Sequence, residues 1–281
     1  MSGRVDIDDT LLLQARNLSL SFGGVLAVND VSFDVRRGEV FTLIGPNGAG
    51  KTTVFNIISG IYPPSKGTLR YYGSGHGVSL TDLAPHDIAA TGIARTFQNI
   101  ELFEHASVLQ NLLIGRHRHQ KSGFWQQVFF TKTVREAEIT ARRHVESVIE
   151  LLDLQHYRDT MVAGLPYGIR KVVELARALC AEPSLLLLDE PSSGLNVEET
   201  EDMAFWITDI KEELGVTVLM VEHDMSLVSR VSDRVFAMSQ GQELASGTPR
   251  EVQTNPAVIE AYLGTADDVT SLRRPNPLGA A

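Results

Sequence analysis

The sequence predicts an α/β fold built on a parallel sheet, and three observations predict it. "EVFTLIG" (39–45), "LLLLDE" (185–190) and "VTVLMVEHD" (216–224) are near-continuous apolar runs, the pattern of strands buried on both faces. The first runs through a glycine-rich turn into "KTTVFNIISG" (51–60), which reads as a helix stopped by Gly60. Between the two halves, from about Ser107 to Arg158, the residues Val134, Ala141, Val145, Val148 and Leu152 recur at helical spacings. They make a long amphipathic helix, and with it a helical insertion.

The remaining elements follow in order. "LSLSF" (18–22) and "VSFDV" (31–35) alternate as half-buried strands, with Val31, Phe33 and Val35 on one face. "YPPSKGTLRYYG" (62–73) is turn chemistry around a short strand. "LPYGIRKVVELARAL" (165–179) opens on a Gly turn and continues as a helix through Val172, Val173, Leu175, Ala176 and Leu179. Arg170 and Lys171 fall in its first turn, where the helix dipole favours acids, so its N-terminus is expected to meet an anion. "RVFAM" (234–238) is a last strand, "SQGQELASGTP" (239–249) a hairpin-like exit, and "NPAVIEAYLG" (255–264) a closing helix. The polar, proline-bearing tail 265–281 has nothing to bury and is predicted to be disordered.

Composition narrows the function classes. In 281 residues, 43% hydrophobic and 21% charged describe a globular chain. The net charge of −10 opposes nucleic-acid binding, which needs a basic footprint, and requires any phosphate site to use backbone donors and a few local cations. "MSGRVDIDDT" has no apolar stretch of the signal-peptide kind, and no apolar run reaches the roughly 20 residues of a membrane span. The single Cys180 excludes an intramolecular disulfide and reads as a buried, inert thiol.

"GPNGAGKTT" (45–53) is the strongest chemical signal: Gly-x4-Gly-Lys-Thr with a strand before it and a helix after. Gly45, Gly48 and Gly50 let the backbone turn its N–H groups toward phosphates, and the new helix adds its positive end. Lys51 can reach the β and γ phosphates, and the Thr52 hydroxyl can meet Mg²⁺. "LLLLDE" carries Asp189 and Glu190 to the carboxyl end of a strand, where open α/β sheets bind ligands. Asp189 is expected to hold the metal and Glu190 to polarise the attacking water. "ARTFQ" (94–98) and "VLMVEHD" (218–224) deliver Gln98 and His223 to other strand ends, and His223 is expected to converge with Asp189 on one nucleotide edge.

The ordered set of "GPNGAGKTT", Gln98, "LPYGIRKVVELARAL", "LLLLDEPSSGLN" and His223 resembles the ATP-binding subunit of an ABC transporter, from about Leu12 to Gly264. "SFGGVLAVNDVSF", "ARTFQNIELF", "SSGLN", "VEHDMSLV" and "VIEAYLG" are similar to the branch that powers branched-chain amino-acid importers. The resemblance implies a P-loop NTPase (RecA-like) core with an antiparallel β subdomain and an inserted α-helical subdomain at about 100–165. It implies ATP with Mg²⁺, contacts from Pro46, Asn47, Ala49 and Thr53 as well as the glycines, and adenine stacking on Phe22. Thr52, Gln98 and Asp189 would meet the metal, Glu190, His223 and Gln98 would act in catalysis, and Leu165, Pro166, Tyr167 and Gly168 would close over a nucleotide held by an opposite subunit.

The implied partners are integral-membrane permease subunits, a second ATP-binding subunit of the same or a different kind, and indirectly a periplasmic or extracellular solute-binding protein. The implied place is the cytoplasmic face of the cell membrane. ATPases of lipid or lipopolysaccharide transport, and soluble ABC ATPases, share these motifs. The usual Leu-Ser-Gly-Gly-Gln is here Leu165, Pro166, Tyr167, Gly168, Ile169, which loses a hydroxyl, a backbone N–H and an amide. Asn196 stands where Asp is common. "GRHRHQK" (115–121) is either a solvated loop or places Arg116, Arg118 and Lys121 near anionic lipid headgroups or a permease face.

Overall fold

The structure is a computed structural model that describes residues 9–73, 75–96, 100–116 and 132–263. Gln98, Arg118, Lys121 and the tail 265–281 lie outside the described residues.

Two sheets organise the described chain. β1 (Leu11–Phe22), β2 (Val25–Arg36), β4 (Lys66–Tyr71) and β5 (Val78–Ser79) form an antiparallel sheet in the order β2-β1-β4-β5. β3 (Val40–Ile44), β6 (Ile93–Arg95), β7 (Leu185–Asp189), β8 (Thr217–Val221), β9 (Arg234–Ser239) and β10 (Gln242–Gly247) form the second sheet, in the order β10-β9-β3-β8-β7-β6. All its pairings are parallel except the β9–β10 edge hairpin.

The continuous apolar strands are buried on both faces because successive side chains enter different cores. Leu185 and Leu187 of β7, with Leu219 and Val221 of β8, face the antiparallel sheet. Leu186 and Leu188, with Val218 and Met220, face the helical side. Phe33 of β2 stacks on Phe41 of β3 with ring centroids 5.6 Å apart, which locks the two sheets together.

The helices are α1 (Lys51–Ile58), α2 (Pro85–Ala90), α3 (Val108–Gly115), α4 (Lys132–Leu151), α5 (Tyr167–Leu179), α6 (Val197–Glu212), α7 (Met225–Val231), α8 (Pro249–Gln253) and α9 (Pro256–Leu263). Among the described residues the insertion between β6 and β7 holds the short α3 and the 20-residue α4, which is the long amphipathic helix that the spacing of Val134 to Leu152 predicts. Val145, Val148 and Leu152, at or just beyond the end of α4, pack into one core with Val108 and Leu112 of α3 and the apolar face of α5. Val258 of the closing helix α9 packs on Ile44 and Val228, beside the start of the glycine-rich loop. Among the described residues no helix is long and apolar enough to cross a membrane.

Candidate functional site

β3 ends at Ile44 and passes directly into the loop 45–50, and α1 starts at Lys51. Gly45 and Gly50 take φ of +151° and +100°, and a Cβ on either would be driven into a backbone carbonyl, that of Met238 or of Ala27. Only glycine closes this loop. α1 begins without a side-chain cap and without an acid in its first turn, which leaves the helix's positive end uncapped by its own first residues. The turn after β9 braces the loop: Gly241 N–H donates to Ala49 O at 3.0 Å, and Gly241 O accepts from Asn29 N–H at 2.8 Å. Asn47, Gly48 and Thr52 are exposed at the mouth, whereas Pro46, Gly50 and Thr53 are half-buried.

Lys51 folds back on the loop, its Nζ donating to Gly45 O at 2.6 Å and Pro46 O at 3.1 Å. Burial pushes its pKa below the ordinary lysine range, while the nearby Glu190 and Asp189 charges work the other way. A cradle of N–H groups with a buried cation, open at one side, fits a polyphosphate.

β7 and β8 are neighbours, with Asp189 paired to Val221, so the two strand ends carry their polar residues to one edge. Asp189 is buried, and its Oδ2 accepts from Arg95 Nη2 at 2.8 Å. Arg95 also donates to Asn56 Oδ1 and Ser59 Oγ on or beside α1, at 2.8 and 2.9 Å, and lies 5.6 Å over the Phe55 ring. Sequence reasoning passed over Arg95, although a charged residue ending a strand at the carboxyl edge is the same signal that singled out Asp189. Thr96 follows, its N–H donating to Leu187 O at 2.9 Å.

Glu190 has φ of +50°, a left-handed conformation that costs a non-glycine residue about 1–3 kcal/mol. It is held there by its own N–H donating to Val221 O at 2.9 Å. His223 is mostly exposed, with Nδ1 3.9 Å from Glu190 Oε1, and it follows β8, the strand paired with the one that ends at Asp189. Glu222, also passed over, is fully buried. It accepts from Ser192 N–H and Oγ at 2.9 and 2.5 Å, and from the N–H groups of His223 and Asp224 at 2.7 and 3.0 Å.

Residues 165–171 open α5. Pro166 is the N-cap of α5 and makes no side-chain cap. Leu165 is buried, and Tyr167 is half exposed, lying over Gly194 with its hydroxyl donating to Ser193 O at 3.4 Å. Gly168 is backed by the Glu199 carboxylate. Ile169 packs against the helical core. The two first-turn cations are both paired to carbonyls within the chain. Arg170 donates to Leu165 O at 3.0 Å and Ala163 O at 2.7 Å. Lys171 Nζ donates to Glu190 O at 2.8 Å and Pro191 O at 3.2 Å. The exposed residues of 165–168 are Pro166 and Tyr167.

Three further residues settle smaller questions. Phe22 is exposed, in edge contact with Tyr62 at 5.1 Å between ring centroids, on the β1–β2 hairpin whose Ala27 carbonyl abuts Gly50. It is a surface platform near the loop, not a core aromatic. Asn196 caps α6 in a reciprocal capping box with Glu199, at 3.0 and 2.9 Å. Arg116 is buried, pairing with Glu182 at 2.8 Å and donating to Cys180 O at 3.4 Å, so it is not available to lipid headgroups.

No group of three or more His, Cys, Asp or Glu among the described residues is arranged to hold a metal by itself. That suits Mg²⁺, which takes one or two protein ligands together with phosphate oxygens and water. Thr52 at the mouth of the loop and Asp189 at the strand edge supply such a pair. The assembled site can therefore hold a nucleotide polyphosphate and present a carboxylate and an imidazole beside it, which is the equipment of phosphoanhydride hydrolysis.

Comparison with known proteins agrees with this geometry. The family model described as ABC transporter matches residues 28–193, and that described as branched-chain amino acid ATP-binding cassette transporter matches residues 242–268. The chain is 41% identical over 255 residues to the high-affinity branched-chain amino acid transport ATP-binding protein BraF of Pseudomonas aeruginosa, covering 91% of this chain and 98% of the relative. It is 39% identical to the corresponding protein LivG of Escherichia coli, with the same coverage. Among solved structures, a nucleotide-free ATP-binding cassette from an ABC transporter is similar with a TM-score of 0.77 and 30% identity, over 90% of this chain and 99% of the other. A cassette in its ADP conformation gives a TM-score of 0.78 at the same identity and coverage.

Proposed function

The chain belongs to the ABC transporter family, and from that premise we propose that it binds and hydrolyses ATP to power a membrane importer of branched-chain amino acids or a related small solute. The single observation that carries the chemistry is the glycine-closed loop with buried Lys51, facing a strand edge where His223 Nδ1 lies 3.9 Å from Glu190 Oε1. The solute class rests on the match at residues 242–268 and on relatives of that description over nearly their full length.

The loop N–H groups and the start of α1 bind the phosphates, and Lys51 exchanges its carbonyl partners for phosphate oxygens. Thr52, Asp189 and Gln98 hold Mg²⁺; Asp189 keeps Arg95 on one oxygen and offers the other. When bound, Mg²⁺ neutralises charge on the β and γ phosphoryl oxygens. Phe22 stacks on adenine. Glu190, fixed in its left-handed conformation, accepts a hydrogen bond from the attacking water and orients it in line with the leaving phosphate. His223 steadies the γ-phosphate.

Leu165, Pro166, Tyr167 and Gly168 close over the nucleotide of a second ATP-binding subunit, either another copy or a different chain. Backbone N–H groups of the α5 N-terminus supply the contact there, since the Pro166 and Ile169 side chains supply none. ATP bridging both faces drives closure by its differential affinity for the closed pair. The groove between the two halves, a cavity of about 360 Å³ lined by Ile61, Ile88, Ile93 and Ile114 among others, has the apolar lining that a permease element would fill.

The test is an affinity purification of the chain from its native membranes in mild detergent, with retained proteins identified by mass. Multi-span permeases and a second ATP-binding subunit are the expected finding. Only soluble partners would remove transport and leave the ATPase chemistry.

A further inference from the structure

We propose that Lys171 and Glu222 are positioning residues that tie the first turn of α5 to the Glu190 loop and His223 of the same chain, and so couple the two nucleotide sites of the closed pair. The coupling half rests on the reading above that residues 165–168 close over the partner's nucleotide. The within-chain half does not.

Lys171 is placed against ordinary preference. It is a cation at the positive end of a helix and only 7% exposed. Its Nζ meets the carbonyls of Glu190 and Pro191, at 2.8 and 3.2 Å. Those two carbonyls belong to the peptide units that carry Glu190 through its left-handed turn. On the other side of the same loop, Glu222 gathers four donors: Ser192 N–H and Oγ, and the N–H groups of His223 and Asp224. Residues 190–192 are thus clamped between a helix that reaches toward the partner and the strand end that bears His223.

No part of this chain of contacts is long or flexible. The 165–168 segment precedes Lys171 by one helical turn, and Tyr167 lies over the Ser193–Gly194 turn that continues from the clamped loop. A displacement of α5 when a nucleotide is captured across the interface is passed to the Glu190 backbone through rigid hydrogen bonds. By linkage, the state of Glu190's site then biases capture across the interface. Neither residue touches substrate in this scheme. They act through Glu190 and His223.

The experiment uses the full chain assembled with its co-purified permease and partner subunit. ATP turnover is measured against ATP concentration for Lys171→Met, Lys171→Arg and Glu222→Gln, alongside equilibrium ATP binding. Lys171→Met is expected to lower kcat by about tenfold or more while nucleotide affinity stays within about threefold, and to bring the Hill coefficient toward about 1. Lys171→Arg, which keeps the donors, restores most of both. Glu222→Gln places an amide donor among four donors and lowers kcat in the same direction.

A Lys171→Met enzyme with kcat within about twofold of the parent and an unchanged Hill coefficient would overturn the proposal. Equal losses in Lys171→Met and Lys171→Arg would overturn it too, since they mark a packing role. If Lys171→Met does not fold, Ser192→Ala removes one strand of the same clamp, and unchanged kinetics there count against the proposal. An Arg-rescued kcat loss without any effect on cooperativity overturns the coupling half alone. ATP-dependent pairing of Glu190→Gln chains separately reports whether residues 165–168 act across an interface.

Discussion

The loop 45–53 and the segment 165–171 each lead into a helix, at Lys51 and at Tyr167, yet they are built on opposite plans. In the first, the motif residues are dictated by backbone geometry: a Cβ at Gly45 or Gly50 has no space, and Lys51 waits on carbonyls it can give up. In the second, the side chains make their contacts within their own chain. Tyr167 lies on the Ser193–Gly194 turn, Ile169 on the helical core, and Arg170 and Lys171 on carbonyls. One region is fixed by where its backbone runs and the other by where its side chains rest.

Four substitutions break or sharpen that contrast, taken from the largest expected effect downward. Glu190→Gln removes the carboxylate that orients water, so steady-state ATP turnover falls by about 10²–10⁴ with ATP affinity retained. Gly50→Ala forces a Cβ onto the Ala27 carbonyl at φ of +100°, at a cost of about 1–3 kcal/mol. Thermal unfolding should show the lowered stability, and equilibrium binding a nucleotide affinity at least about tenfold weaker. Gly168→Ala meets the Glu199 carboxylate, which must shift within its capping box, a cost offset by Ala being the better helix former by about 1 kcal/mol. Its melting temperature should change little, and any loss should appear in ATP-dependent pairing of chains. Equal stability losses at Gly50 and Gly168 would erase the distinction.

Pro166→Ser returns a backbone N–H and a hydroxyl to the segment. A hydrogen bond to a charged group is worth about 1.5–3 kcal/mol, so turnover or closure should rise by about tenfold or more while stability stays within about 0.5 kcal/mol.

Much of the fold was legible because its strongest elements carry period and continuity. β3, β7 and β8 read as buried strands since every residue in them faces a core, and the glycine-rich loop follows from its flanks. α2 and α7 were missed because six or seven residues make too few turns for a period to register. α6 was readable and overlooked. Asn196 followed by Glu199, with Met203, Ala204, Ile207 and Ile210 buried on one face, is a capped amphipathic helix.

In the site, Lys51, Asp189, Glu190 and His223 stand where their strand ends imply. Arg95 and Glu222 escaped notice because a charged residue is solvated by default, although each stands at the carboxyl end of its strand; Lys171 stood out by its place in a first helical turn, but nothing local shows that it is buried on the Glu190 loop. The same default misled the reading of Arg116, which pairs with Glu182 inside the protein. Cys180 followed its expectation. Burial pushes its thiol up to about 12, so the folded protein should resist alkylation at pH 8 and react only when unfolded.

The most direct test of the central claim is sedimentation of the Glu190→Gln chain at millimolar ATP, alone and mixed with the ATP-binding subunit that co-purifies with it. An ATP-dependent pair in either sample is the predicted result, and shows that a segment ending in Pro166, Tyr167 and Gly168 still closes over a nucleotide. Chains that bind ATP yet remain single in both samples would contradict it.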